Sequence, residues 1–548
     1  MVKESKNYKY RLIIEGALIG LITGALISVF RSMLTFADMK RGELAEYASQ
    51  SPKGMIVLAL ILIAIAAIVT ALLIWEPDIA GSGIPQTEAE LRGQKEMKWY
   101  KVIIGKLAGC ALAIGGGLAL GREGPSIQLG AMVGKGFART SHRPLTEERL
   151  LVTCGAGAGL SAAFGAPLAG ALFSLEEMHR NFSADILLTT MAASAASDFI
   201  CANVLGLTPV FGLDMEHYIP LKHYWAVILL GLILGLFGAM YNKTIDLMQD
   251  IFEHIGKGIS KFICRVTGKD YSIISDSLHP TIFASRAAVF GRMIAIFFAA
   301  YILFFLYPDA LGSGSFLVGD IGHGKYGLYA LLILLVIKFI YSTASFGSGS
   351  PGGIFLPLLV IGSITGGLFS RVLGLAGFDQ SYIEGFVVIA MAGYFAAIVR
   401  APVTGVVLIT EMTGDFTTLL PLVLTSLVAY LVAEALGVVP IYTQLLERSM
   451  RKQGTGRRSR TFESLRERKA VVDVEVYIGS RMDGSHVSEF RLPPGTLIIS
   501  VIRDGAEIIP DGNTYLRGGD KLEILTREAD IPDVETIADE ACHKLVRD

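Results

Sequence analysis

The sequence predicts an all-α polytopic membrane protein, built from an internal repeat of broken helices, with a small α/β domain at its end. Three observations carry that prediction. Only 18% of the 548 residues are charged and 52% are hydrophobic, whereas a soluble domain carries about a quarter charged residues. The charge deficit is concentrated in the first 445 residues, where uncharged stretches long enough to span a bilayer recur. Glycine- and proline-rich punctuation returns at a nearly constant spacing, and from about residue 470 the pattern changes to strand-like alternation.

The spans begin after Lys3, Lys6, Lys9 and Arg11. No small-residue cleavage site follows the first apolar stretch and many further spans do, so it reads as a span rather than a cleaved leader. The least ambiguous span is "MIVLALILIAIAAIVTALLIW" (55–75); others lie near 12–30, 102–120, 185–205, 224–241, 288–307, 327–341, 385–399 and 417–436. Several are too short or glycine-rich to cross simply. Broken or tilted helices at membrane depth need protein or water to cover their backbone. The basic start and the basic stretch 448–469, "RSMRKQGTGRRSRTFESLRERK", place both ends in the cytoplasm under the positive-inside rule. That linker could touch anionic lipid, but it reads first as a topology signal.

The membrane region, residues 1–447, divides into halves of about 10–205 and 220–440. "PDIAGSGIP" (77–85) returns as "PDALGSGSF" (308–316). Gly121, Pro125, Gly130 and Gly134 have counterparts at Gly353, Pro357, Gly362 and Gly366, and "APLAGALFSLE" (166–176) returns as "APVTGVVLITE" (401–411). The spacings of 231, 232 and 235 residues keep their order. Internal repeats mark transporter folds, whose sites form at the repeat interface near the midplane, in interrupted helices. The interrupted segments here are 81–86, 121–126, 312–316 and 347–357. Spacing alone leaves open whether the halves are parallel or inverted.

"GSGIPQ", "GREGPS" and "GSPGGIFLP" each place a glycine turn and a proline where a helix could begin. Proline suits a first helical turn. The opening N–H groups of a helix are unpaired and carry partial positive charge, so several such starts converging would bind an anion without a full cation. Amides and hydroxyls hold an ion loosely enough to release it, and Ser82 could add a hydroxyl. Glu123, in "LGREGPSIQLG" (120–130), is costly in the membrane unless paired or protonated. Ion pairing with Arg122 is the plain reading, but adjacent helical residues point different ways. The alternative is that Glu123 mimics the anion: ionised, it occupies the anion's position; protonated, it swings away. Desolvation makes such proton uptake accessible.

The order and spacing of "GSGIP" (81–85), "GREGP" (121–125) and "GGIFLP" (352–357) resemble the signature loops of the CLC family of chloride channels and proton/chloride antiporters, over roughly residues 10–450. Tyr442, in "VPIYTQLLERS", resembles the family's anion-coordinating tyrosine. The resemblance implies an inverted repeat, a homodimer in the lipid bilayer with one anion pathway per subunit, and a prokaryotic cell membrane as its location. It implies that Ser82 and Tyr442 hold a central chloride with the amides of Ile354 and Phe355. Glu123 becomes the external gate, framed by amides around Arg122 and Gly124. Serine in the first loop resembles chloride-selective members, where proline would suggest nitrate; the fluoride branch departs from these loops. "LFSLEEMHR" (172–180) resembles the segment with the internal proton glutamate, the match falling on Glu177; Glu176 has the repeat partner Glu411 and reads as structural. Both Glu123 and Glu177 being present favours proton-coupled chloride exchange over a passive chloride channel.

Residues 470–548 form the tail domain. "AVVDVEVYI" (470–478) alternates as a half-buried strand does. Residues 496–527 hold three strand-like runs separated by Asp504-Gly505, Asp511-Gly512 and Gly518-Gly519, and 531–546 reads as helical. About 70–80 residues make a marginal domain that dimerisation would help. "LPPGTLIISVIRDGAEIIPDGNTYLRGGDKLEIL" resembles the RCK-C (TrkA-C) regulatory domain rather than the CBS pair. The resemblance implies a small ligand such as cyclic di-AMP, with Arg503, Ile509 and Pro510 as candidate contacts; equally, Arg503 could be a solvated turn residue and Pro510 a strand terminator.

Other readings are a membrane-tethered nucleotide sensor and, less well supported, a cation transporter, since no acidic cluster lines the turns. Cys110, Cys154, Cys201, Cys264 and Cys542 have no metal-like spacing. No P-loop, catalytic triad or metal cluster is apparent, so neither enzyme activity, cofactor nor metal is expected. A net charge of −2 gives no ground for a nucleic-acid partner.

Overall fold

In a computed structural model of the chain the described residues are 2–179, 184–207, 210–211, 213, 217–266, 282–452, 469–477, 479–503, 506–527 and 530–543. Most of the basic linker, the Asp504-Gly505 turn and the Cys264 side chain lie outside them. Contacts divide the chain into two compact units, Met1–Arg448 and Ser449–Asp548.

The first half of the membrane unit consists of α1 (Val2–Gln50), α2 (Pro52–Trp75), α3 (Ile84–Leu91), α4 (Trp99–Gly115), α5 (Glu123–Thr140), α6 (Leu145–Phe164), α7 (Pro167–Phe173) and α8 (Ala184–Leu205). The second consists of α9 (Tyr224–Val266), α10 (Ile282–Leu306), α11 (Ser315–Gly322), α12 (Leu328–Gly347), α13 (Phe355–Leu375), α14 (Ile383–Val399), α15 (Pro402–Thr413), α16 (Leu419–Ala435) and α17 (Ile441–Lys452). Among the described residues eight helices are long and apolar enough to cross a membrane. The first helix runs far past the expected span of 12–30 and stops only at Ser51, whose hydroxyl accepts from Gly54 N–H at 3.1 Å to start α2. The expected span 102–120 ends early, at Gly115, because the chain turns at Gly116 and Gly117 toward the 121–125 loop.

Both halves build the same broken unit. Short 3₁₀ turns at Pro77–Ile79 and Pro308–Ala310 precede glycine loops, and α3 and α11, eight residues each, start after Gly83 and Gly314 in left-handed conformations. A side chain at Gly83 would also collide with Gln128. Each loop is tied by a fully buried lysine. Lys106 donates to the carbonyls of Ile79 (2.9 Å) and Gly81 (2.7 Å), and Lys338 to those of Ala310 and Gly312 (both 2.9 Å).

The halves interlock through two glutamates. Glu176 accepts from the N–H groups of Val403 (3.3 Å) and Thr404 (2.8 Å) at the start of α15; Glu411 accepts from those of Leu168 (3.0 Å) and Ala169 (2.8 Å) at the start of α7. Each half caps a helix of the other, at equivalent positions. Helices α5 and α6 approach on glycines: a Cβ on Gly130 or Gly155 would overlap the other's carbonyl oxygen. Small residues at such crossings let membrane helices pack by close contact, where lipid leaves no hydrophobic drive. After Glu384 in its first turn, helix α14 is apolar all round and almost wholly buried, at the centre of the core.

In the tail unit β1 (Lys469–Glu475), β2 (Leu497–Arg503), β3 (Ala506–Ile508) and β4 (Lys521–Arg527) form an antiparallel sheet in the order β1-β4-β2-β3. Leu522 and Ile524 of β4 point inward with Val501 and Val474. They meet Val534 and Ala538 of α18 (Ile531–Ala538). Of the expected helix over 531–546, the described part is α-helical to Ala538 and π-helical at Asp539–His543, and 544–546 lie outside the described residues.

Candidate functional site

The three loops singled out from sequence meet and pair. Gly121 N–H donates to Gly353 C=O at 2.6 Å, and Gly353 N–H donates back to Gly121 C=O at 2.8 Å. Gly81 N–H donates to Ser350 C=O at 3.2 Å, and Gly352 N–H to Gly81 C=O at 3.0 Å. The starts of α3, α5 and α13 are thereby brought to one place inside the membrane unit. In none of them does the N-cap side chain accept from the first turn; side chains from elsewhere take two of the opening amides, Ser82 that of Ile84 in α3 and Glu123 that of Leu356 in α13.

Glu123 is fully buried and folds back over Gly121. Its Oε2 accepts from Leu356 N–H, in the first turn of α13, at 3.3 Å. Its Oε1 has no hydrogen-bond partner and lies 3.8 Å from Arg122 Nε. The contact with Arg122 is thus a long ion pair without a hydrogen bond, while the backbone of the other half receives the carboxylate. A helix start holding a carboxylate is the arrangement by which the same start would hold an anion.

Ser82 is buried; its Oγ accepts from Ile84 N–H at 3.2 Å, which leaves the hydroxyl proton free to donate. Gly124 lies against it: a Cβ there would sit 2.9 Å from Ser82 Cβ. Ile354 is the N-cap of α13 and Phe355 its first residue. The Phe355 ring packs against Phe164, Phe173 and Phe395, with centroids 5.4, 6.4 and 4.6 Å away. Tyr442, at the start of α17, is fully buried, and its hydroxyl has no hydrogen-bond partner. That hydroxyl is within electrostatic range of both Glu177 and Glu123. An orphaned buried hydroxyl costs about 1–3 kcal/mol, so it fits a polar ligand. Glu177 is buried in a π-helical turn, Ser174–His179, that follows α7; such turns are rare and concentrate at functional sites.

Residues 61–434 match the family described as voltage gated chloride channel.

The chain belongs to the voltage-gated chloride channel family.

Among curated relatives, the H(+)/Cl(-) exchange transporter ClcA of Vibrio cholerae serotype O1 is 32% identical over 443 residues, covering 80% of this chain and 89% of its own. ClcA of Citrobacter koseri is 31% identical over 453 residues, covering 81% and 89%. Among solved structures, a slow cyanobacterial Cl−/H+ antiporter superposes with a TM-score of 0.72 at 31% identity, covering 81% of this chain and 99% of that one. A CLC-type fluoride/proton antiporter, at 20% identity and a TM-score of 0.60 over 79% and 97% of the chains, shares the fold. Residues 471–538 match the TrkA-C domain.

Within this voltage-gated chloride channel fold, sequence reasoning missed Leu356, whose amide receives Glu123, and the two loop-binding lysines. Leu356 had no signature, because a backbone amide leaves none. Lys106 and Lys338 had one: single cations in apolar stretches, 232 residues apart, matching the repeat. In the TrkA-C unit Arg503 is engaged internally, donating to both oxygens of Asp520 (2.8 and 2.6 Å) and to Tyr515 C=O (2.7 Å). Ile509 is 87% exposed, and Pro510 is partly exposed beside it at the end of the edge strand β3.

Proposed function

We propose that this membrane protein exchanges protons for chloride, with Glu123 as the group through which the two are coupled. The observation that carries the reading is the Glu123 carboxylate accepting from the Leu356 amide, where three helix starts are brought together by their paired loops. Chloride and an ionised Glu123 would contend for that amide. When chloride takes the position, Glu123 leaves it and takes up a proton on the way. Ser82, Tyr442 and the amides of Ile354 and Phe355 would hold a second, central chloride, with amides around Arg122 and Gly124 framing the outer position. Glu177 would pass protons to and from the opposite side, and the Tyr442 hydroxyl stands in electrostatic range of both glutamates. The relatives named as H(+)/Cl(-) exchange transporters favour the same activity.

The protein acts as a homodimer in a prokaryotic cell membrane, with both termini in the cytoplasm. Its TrkA-C unit binds a small regulator, for which cyclic di-AMP is the first candidate. Ile509 and Pro510 offer an open apolar edge, and Arg503 shapes it by tying β2 to the turn before β4.

The test is proton-driven chloride uptake in liposomes, with and without cyclic di-AMP. Chloride accumulation against its own gradient, powered by pH, is expected. Chloride flux with no accompanying proton movement would leave a passive channel instead. A nucleotide that binds without altering flux would remove the regulatory role.

A further inference from the structure

The hydroxyl of Tyr442 has no hydrogen-bond partner, so no bond at its tip fixes where it points. Its place comes from the packing of its ring and from the backbone beneath it. That backbone is gripped on both sides. Before Tyr442, two carbonyls of the turn between α16 and α17 accept from side chains of other elements. Arg400, which follows α14, donates from one Nη to Val438 C=O at 3.0 Å. Its other Nη donates to Tyr430 C=O of α16 at 3.2 Å and to the Glu434 carboxylate at 2.5 Å. The guanidinium also lies over the Tyr430 ring, 5.2 Å from its centroid. Asn242 of α9 is fully buried, and its side-chain amide donates to Val439 C=O at 3.1 Å and to Ile398 C=O of α14 at 3.4 Å. After Tyr442, the Gln444 side chain donates to Asn242 C=O at 3.2 Å.

Arg400 makes these bonds from a strained position. Its φ is 70°, in the left-handed region that a residue with a Cβ seldom adopts. Such strain persists only where the surroundings hold it, and it clusters at functional places. The repeat supplies a comparison within the same molecule. "FGAPLAG" (164–170) in the first half corresponds to "VRAPVTG" (399–405) in the second, so the partner of Arg400 is Gly165. Gly165 follows α6 with a φ of 65°. The first half makes the same corner with glycine, which adopts it freely. The second half places an arginine there, and its side chain reaches the turn into α17. Helices α1–α8 and α9–α16 follow the same order, and α17, which carries Tyr442, comes after both. The arginine replaces the glycine in the half that has this additional helix to hold.

We propose that Arg400, together with Asn242, is a positioning residue for Tyr442: by holding Val438 and Val439 it sets where the Tyr442 hydroxyl meets the central anion. This rests on the reading that Tyr442 binds the central chloride, and it adds two residues that lie outside the three loops. A guanidinium suits the task because its planar fork can bond several carbonyls at once.

The experiment is chloride calorimetry on the full-length protein in detergent. Arg400→Gly keeps a corner that Gly165 already makes and removes the grip, and it is expected to weaken chloride binding about fivefold. Asn242→Leu removes the second grip, leaves the corner untouched and should act in the same direction. In a Tyr442→Phe background neither change should weaken binding further, because the hydroxyl they place is gone. A role confined to capping α16 predicts a lower unfolding midpoint with chloride affinity unmoved, or the same loss in the Tyr442→Phe background; either result overturns the proposal. A second measurement does not depend on chloride. With 3-fluorotyrosine placed at Tyr442, a fluorine resonance shifted or broadened by Arg400→Gly or by Asn242→Leu supports the positioning role, and a resonance unchanged in both overturns it. If Tyr442→Phe alone leaves chloride binding unmoved, the reading of Tyr442 as a ligand falls, and the fluorine resonance alone judges whether Arg400 and Asn242 place the ring.

Discussion

Under the proposed exchange, one side chain, Glu123, would serve two ions. Its carboxylate accepts from Leu356 N–H at 3.3 Å, the kind of partner a halide would use. Glu123→Ala removes the carboxylate that occupies that amide and that could take a proton. Proton coupling should be lost while chloride still flows, and the check is whether an imposed pH gradient still accumulates chloride; if it does, Glu123 is not the coupling group. Ser82→Ala with Tyr442→Phe removes two hydroxyls and leaves the amides, so chloride binding measured by calorimetry should weaken about tenfold. Glu123, Ser82 and Tyr442 stood out as candidates in the sequence because an isolated polar side chain in apolar surroundings is conspicuous and the loops around them are distinctive, and the structure buries all three. The position of the Glu123 carboxylate was not, since it depends on an amide 233 residues away along the chain.

At the scale of elements, the crossed glutamates matter most. Helices α7 and α15 begin with proline after an alanine N-cap that offers no side-chain acceptor, so the carboxylate from the other half supplies what the local sequence lacks. Glu176→Ala or Glu411→Ala should each cost about 1–3 kcal/mol, read as a lower unfolding midpoint in detergent. The two sites share no hydrogen-bond partners, so the double variant should lose about the sum of the two. Gly155→Val should be worse than either, because its side chain meets the α5 backbone rather than a movable group. In the tail, burial opposes ionisation of Asp520, yet the Arg503 side chain and the Arg517 amide hold its carboxyl below the usual carboxylate range. Such a group contributes stability above its unfolded value and loses it as pH falls through the lower, folded one. The tail unit should therefore loosen below about pH 4, and Asp520→Asn should abolish that part of the acid response, as limited proteolysis across a pH series would register. Helix starts were readable from glycine and proline, but the end of α1 was not. Residues 38–50 are polar yet rich in good helix formers such as Met, Lys, Glu, Leu and Ala, so the helix continues after the apolar run stops.

Across the whole molecule, the repeat was visible in spacing, but its interlocking was not. The nearly constant offset says that two halves share a pattern; it does not say that Glu176 reaches α15 or that Gly353 pairs with Gly121. Those contacts are long-range and depend on how the two halves face each other. The second unit was legible because its period changes from membrane-like runs to alternation, and its sheet follows the turns at Asp511-Gly512 and Gly518-Gly519. Its order, β1-β4-β2-β3, came only from the structure.

The reciprocal caps of Glu176 and Glu411 bear on how such a protein can be assembled. Neither half is complete alone, because each would present a helix beginning whose acceptor is carried by the other. Severing the polypeptide between residues 206 and 223 should yield two fragments that are each poorly behaved when produced singly, yet complement one another when co-expressed.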